Sequence, residues 1–274
     1  MLRAPSAALR PFVSSVWFHH AVTNLPTASE HVAPCGEMHL VFRIGGSRLR
    51  IRDAAGNACE PGSAIVGGMR SGYYVKEASP AESVGVQLRP GAAEAVLGVP
   101  AEALAGRHWA LEELWGSAAE SLCARLAEAP DGESRARILE GFLLARVGRA
   151  RGMHPAVAQA LAGFDPATSV RSLVQRSGYS HRTFISQFRR SVGLAPKAYA
   201  RVLRFNRMLR HLAANPAITW ADLAMEGGYS DQPHFNREFR EFSGVTPEAY
   251  RAIAPASAHH IPVNSFQDAA LFRR

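Results

Sequence analysis

Apolar residues in the first ninety positions come in short runs: FVSSVWFHH (12–20), EMHLVFRI (37–44), SRLRIR (47–52), SAIVGG (63–68), YYVKE (73–77) and SVGVQLR (83–89). β-branched and aromatic side chains crowd these runs, and Gly, Pro, Asn and Asp separate them, as they do between short strands. SRLRIR alternates polar and apolar positions in the manner of a half-exposed strand. Many short strands at this spacing predict a barrel or jelly-roll. Beyond Arg89 the period lengthens. Pro90 and Pro100 are placed to open short helices, and from Leu111 to Val147 apolar residues return every three or four positions. The pattern breaks at Ala129-Pro130-Asp131-Gly132, which predicts helices over about 111–128 and 133–147. From His154 onward the pattern is helical throughout. Pro155, Pro196 and Pro247 stand in first turns, and Thr168 or Ser169, Ser180, Thr219 and Ser230 are candidate caps. The residues after Pro255 carry no period and are predicted irregular.

The helical part contains a duplication. GYSHRTFISQFRRSVGLAPKAY (178–199) and GYSDQPHFNREFREFSGVTPEAY (228–250) share Gly-Tyr-Ser, an aromatic pair four apart (Phe184/Phe188 and Phe235/Phe239), then Gly, Pro and Tyr at matched spacing. Each copy follows a short amphipathic segment ending at Gly178 or Gly228, where a turn with positive φ favours glycine. A cap then opens a second helix whose Phe stripe faces inward and whose polar face is left outward. That is the helix-turn-helix plan, in which the second helix enters the major groove. Pro196 opens one long helix that joins the copies.

Charge separates the two parts. The chain carries a net +8, yet residues 1–153 hold 16 Lys and Arg against 15 Asp and Glu, while residues 154–254 hold 13 against 7. The cationic excess sits in the duplicated part, which points to a polyanionic partner there. Three cysteines (Cys35, Cys59, Cys123), odd in number and widely spaced, predict no disulfide framework and a reducing, cytoplasmic setting. MLRAPSAALRPF lacks the apolar region of a leader, and no apolar run reaches the roughly 20 residues of a membrane span. No Ser/His/Asp order, carboxylate pair or phosphate-binding Gly loop is present, so no enzyme and no cofactor is expected.

With both copies, the joining helix and the ending Gly244–Arg251 (GVTPEAYR) in view, the C-terminal hundred residues resemble the DNA-binding domain of AraC/XylS-type transcription regulators. APCGEMHLVFRIGG, GGMRSGYYV, SVGVQLRPGAA and GRHWALEELWG resemble, more weakly, the cupin-like sensory half of some bacterial members. The resemblance implies an α+β chain. Residues 1–150 would be a cupin-like β-barrel domain with a helical extension (about 90–150), and residues 151–255 an all-α domain of two helix-turn-helix units. An irregular tail (256–274) would follow. It further implies double-stranded DNA and a small-molecule effector as partners, with self-association and contact with RNA polymerase among the expectations.

On a first recognition helix at 181–191, the outward residues are His181, Arg182, Ile185 and Ser186. Arg182 suits a guanine edge and Ile185 a thymine methyl, while Arg189 and Arg190 suit phosphate. Family members often carry long polar residues at the positions of Ile185 and Ser186, so the first unit departs from the pattern. The second helix, about 232–242, offers Gln232, Asn236 and Arg237. In the N-terminal part, Trp17, His39, Arg43, Tyr73, Tyr74 and Gln87 stand on predicted strands as candidate pocket residues. Two other uses of this part remain open: a metal or cupin-type enzymatic site at His31, Cys35 and His39, and a redox switch at Cys35. His39 lacks the paired H-x-H of metal-binding cupins. Leu114, Leu122, Leu126, Leu139, Leu143 and Val147 offer either a dimer seam or packing on the barrel, with packing the default.

Overall fold

The computed structural model describes residues 1–20, 29–46, 48–77, 81–147 and 153–263. Its strands are β1 (Leu2–Arg3), β2 (Val13–His19), β3 (Ser29–Val32), β4 (Met38–Ile44), β5 (Ile51–Asp53), β6 (Ala58–Cys59), β7 (Ala64–Gly67), β8 (Tyr74–Glu77), β9 (Glu82–Leu88), β10 (His108–Ala110) and β11 (His260–Val263). They form two antiparallel sheets, one of order β1-β2-β9-β4-β7-β10 and one of order β11-β3-β8-β5-β6. Val32, Ile51 and Tyr74 of the second sheet cluster with Ile65, and with Val41, of the first, so the sheets face each other. The six predicted strands appear within a few residues of their expected bounds. β1, β3, β6, β10 and β11 are two to four residues long, too short to show a period.

Side-chain alternation sets the two faces of the larger sheet. Met38, Leu40 and Phe42 of β4, with Val84, Val86 and Leu88 of β9, are buried against helices. These helices are α1 (Ala93–Leu97), α2 (Ala101–Leu104), α3 (Glu112–Trp115), α4 (Ser117–Glu128) and α5 (Gly132–Val147). Gly116 separates α3 from α4 inside the helix predicted as continuous. Leu122, Leu126, Leu139 and Leu143 are fully buried in this layer, so they pack on the sheet and present no seam to a second copy.

The C-terminal helices are α6 (Pro155–Ala162), α7 (Val170–Ser177), α8 (His181–Val192), α9 (Pro196–Ala214), α10 (Trp220–Glu226), α11 (Gln232–Ser243) and α12 (Pro247–Ile253). The expected boundary at 148–152 lies outside the described residues. The two parts do not keep separate cores. Leu173, Phe184, Phe188, Val192 and Tyr199 belong to the same apolar cluster as the helix-covered sheet. A second cluster, around Phe205, Phe235, Phe239 and Phe242, takes in Ala33 from the N-terminal part and Ile261 and Val263 from the tail.

The tail corrects the expectation of irregular chain after Pro255. Residues 260–263 form β11, which pairs antiparallel with β3 in the register His260↔Val32 to Val263↔Ser29. Ile261 is fully buried beneath α11 and α12, and an apolar side chain with that much to bury fixes the strand. Pro262 is tolerated because β11 is an edge strand. No described helix is long and apolar enough to cross a membrane.

Candidate nucleic-acid interface

Both helix-turn-helix units are built by the same local chemistry. Ser169 Oγ accepts the Ser172 amide at 3.1 Å and Ser180 Oγ accepts the Thr183 amide at 3.2 Å, opening α7 and α8. In the second unit Thr219 Oγ1 accepts the Asp222 amide at 3.1 Å and donates to the Asp222 carboxylate at 2.6 Å. The cap of α11 is Asp231, which accepts the His234 amide at 2.6 Å; Ser230, the expected cap, donates to the Asp231 carboxylate. That amide bond holds the Asp231 carboxyl below its ordinary value. Phe184, Phe188, Phe235 and Phe239 are all at most 1% exposed, as the shared Phe-x3-Phe stripe requires.

These helices leave their N-terminal halves in solvent. His181, Arg182 and Ser186 are exposed on α8, as are Gln232 and Arg237 on α11. Ile185 is turned partly into the core, so it does not present its side chain outward as expected. Asn236 is half-buried, with its Oδ1 covered and unpartnered among the described protein groups. Arg189 and Arg190 point toward the N-terminal part: Arg189 pairs with Glu102 of α2 at 3.1 Å and Arg190 with Glu94 of α1 at 3.0 Å. Expected to meet phosphate, both meet carboxylates that stand in its place.

Sequence reasoning did not single out Glu238. It is 2% exposed and accepts from Arg201 at 2.8 Å, from Arg204 at 3.0 Å and from the Tyr229 hydroxyl at 2.8 Å. Burial pushes its carboxyl up, but those three donors outweigh burial and hold it below the usual carboxylate value. The network ties α11 to α9, and hence the second recognition helix to the first. Its one sequence signal is a Glu beside the Phe stripe, flanked by the arginines of the joining helix.

Of the N-terminal candidates, Trp17, His39, Arg43 and Gln87 share the inner face of the larger sheet, and Tyr74 faces them from the other sheet. Tyr73 does not join them. It stacks on His31 with ring centroids 4.6 Å apart, on the outer side of the smaller sheet and against α11. The group His31, Cys35 and His39 is likewise dispersed. The His31 Nδ1 lies 3.1 Å from the Ser243 carbonyl, whereas His39 points between the sheets with its ring over Gly67. No group of three or more His, Cys, Asp or Glu among the described residues is placed to hold a metal ion. Burial pushes the Cys35 thiol up, away from the reactive thiolate.

Two capped helix-turn-helix units on one joining helix, carried beside an antiparallel sheet domain, are the layout that the resemblance to AraC/XylS-type regulators implies. Residues 173–253 match the family described as a helix-turn-helix domain, and residues 2–110 match a domain of unknown function, DUF6597. The F1 operon positive regulatory protein of Yersinia pestis is 33% identical over 85 residues, which are 31% of this chain and 28% of that protein. The match thus spans little more than a quarter of that relative's length. Among solved structures, ToxT from Vibrio cholerae is similar at 10% identity and a TM-score of 0.44, over 86% of this chain and 96% of ToxT. The C-terminal domain of AraT, a response regulator from Geobacillus stearothermophilus, is similar at 19% identity and a TM-score of 0.33, over 36% of this chain and 86% of that domain.

Proposed function

We propose that the chain is a sequence-specific, double-stranded-DNA-binding transcription regulator whose N-terminal domain senses a small molecule. One observation carries the DNA reading above the rest: two separately capped helices, α8 and α11, are fixed to one connector, and each exposes an arginine in its N-terminal half, Arg182 in the first turn of α8 and Arg237 a turn further along α11. Each arginine offers two parallel donors to a guanine edge, with Gln232 beside Arg237 for adenine. The division at about residue 150 gives a sensor (1–150) and a DNA reader (151–255), with β11 returning from the reader to the sensor. Trp17, His39, Arg43, Gln87 and Tyr74, gathered between the sheets, support the sensing half.

The full chain should retard duplex DNA drawn from a random-sequence pool, with an affinity that falls steeply as salt rises. The double variant Arg182→Ala/Arg237→Ala should lose selection of any common site while keeping salt-sensitive, sequence-blind binding. Enrichment of the same sequences by the double variant would refute base reading by this pair.

A further inference from the structure

The helices α8 and α11 do not share a core. Phe184, Phe188 and Val192 of α8 belong to the apolar cluster of the larger sheet, and Phe235, Phe239 and Phe242 of α11 to the other, with Leu194 packed against both. α9 runs through the two clusters, with Tyr199 in the first and Val202, Phe205 and Leu209 in the second, and so forms one link between the units. Two bodies joined by one link can rock about it, and a second link set apart from the first removes that freedom.

The N-terminal part supplies a second link. Residues 68–73 (GMRSGY) join β7 to β8. Met69, 1% exposed, packs so closely on Gly193 that a Cβ added there would lie 2.8 Å from the Met69 Cβ. The Tyr73 ring lies 2.8 Å from where a Cβ would stand on Gly244, and the His31 ring stacked on it crowds the same spot. His31 Nδ1 donates to the Ser243 carbonyl at 3.1 Å, meeting one of the acceptors that the last turn of α11 leaves open. Gly193 and Gly244 end α8 and α11, with φ of 90° and 74°, and are matched positions of the duplication. Both need glycine twice over, for the turn and for the contact.

The chain between the two seats is itself held. The Gly68 amide donates to the Arg107 carbonyl at 2.9 Å, and the Gly106 amide donates to the Met69 carbonyl at 2.8 Å. Arg70 Nε donates back to the Gly68 carbonyl at 3.4 Å, and its guanidinium lies 4.3 Å over the Tyr74 ring. Four residues of extended chain reach at most about 14 Å. Met69 and Tyr73 cannot move apart beyond that, so the last turns of α8 and α11 cannot separate much further without losing a seat.

We propose that residues 69–73 are a ruler between α8 and α11, with Met69 and Tyr73 as positioning residues that set the separation of the two DNA segments the protein selects. This role rests on the DNA-binding reading and adds what fixes the register of the two helices on the duplex. Each base pair moves a contact along the axis by about 3.4 Å and around it by roughly a tenth of a turn. Helices joined through α9 alone can follow such a change, whereas helices also seated on a ruler cannot.

The test uses the full-length protein and the site it selects from random duplex DNA, remade with one base pair added or removed between the two contacted segments. The wild type should bind either altered site about tenfold or more weakly, because one helix then misses its bases. Tyr73→Ala, which unseats α11, should bind all three sites within about threefold of one another and keep the salt dependence of the wild type. Tyr73→Phe keeps the ring and should discriminate as the wild type does. A glycine inserted between Ser71 and Gly72 lengthens the ruler without altering either seat. It should level the three affinities likewise, and it serves where Tyr73→Ala does not fold. A purely structural role for Tyr73 lowers affinity for the three sites equally and leaves their ratios unchanged. Unchanged ratios in folded variants therefore overturn the ruler and leave the DNA reading standing, as does a wild type that selects bases yet binds the three sites alike. A wild type that selects no sequence removes the DNA reading, and the ruler with it.

Discussion

Glu238 carries a full charge at 2% exposure, and what surrounds it decides whether that charge helps or harms. Three donors converge on it, so Glu238→Ala would strand the Arg204 guanidinium and the Tyr229 phenol and leave Arg201 with Glu241 alone, as well as delete the carboxylate. Removing one partner of a buried pair costs about 3–5 kcal/mol, and the half-exposed arginines place this one near the lower end. A fall of that size in denaturant-measured stability is the expected result. The sign of the pH dependence follows from the depressed carboxyl. Its contribution is fully present above the ordinary value of 4.5 and is lost as pH falls through the lower folded-state value. The stability of Glu238→Gln should therefore change less than that of the wild type between pH 6 and pH 3. Arg237 makes the opposite case, since it is exposed and touches no core. Arg237→Ala should leave stability unchanged, weaken cognate binding by roughly 1–3 kcal/mol and relax preference at one base pair. Uniform loss across unrelated sequences would make Arg237 a phosphate contact.

Among the elements, β11 alters the picture most. Four residues with a proline among them show no period, and their partner strand lies some 230 positions away in the chain, so nothing local announces the pairing. What fixes β11 is tertiary: Ile261 and Val263 complete the core around Phe239, and Tyr250 donates to the Ala258 carbonyl on the way there. Ile261→Ala should cost about 2–4 kcal/mol in denaturant-measured stability, although the sequence after Pro255 reads as irregular chain. The helix-turn-helix units were legible for the opposite reason. Their glycines, caps and Phe pairs answer local demands of turn and helix, and the duplication states each demand twice. Arg189 and Arg190 show where legibility stops. A basic residue on the outer face of a helix has the same pattern whether it faces phosphate or the carboxylates of Glu102 and Glu94. Trp17, His39, Arg43 and Gln87 are legible only as residues on predicted strands, and the same reading takes in both Tyr73 and Tyr74, although neighbours along extended chain point to opposite sides and only Tyr74 faces inward.

For the whole molecule, the N-terminal part holds the first unit through α1, α2 and Met69, and the second through Tyr73 and through β3, with which β11 pairs, leaving the leading halves of α8 and α11 uncovered. The ion pairs at Arg189 and Arg190 are about half-exposed, so each contributes about 0–1 kcal/mol. Glu94→Gln with Glu102→Gln should therefore raise DNA affinity several-fold and steepen its salt dependence, as two cations are freed for phosphate. A titration across salt concentrations measures both effects. The central claim is that α8 and α11 read one duplex together. Its most direct test is methylation interference with the full chain on a site selected from random DNA. Interference should fall in two clusters about one helical turn apart, one lost in Arg182→Ala and the other in Arg237→Ala. A single cluster, or two that disappear together in either variant, would contradict the claim.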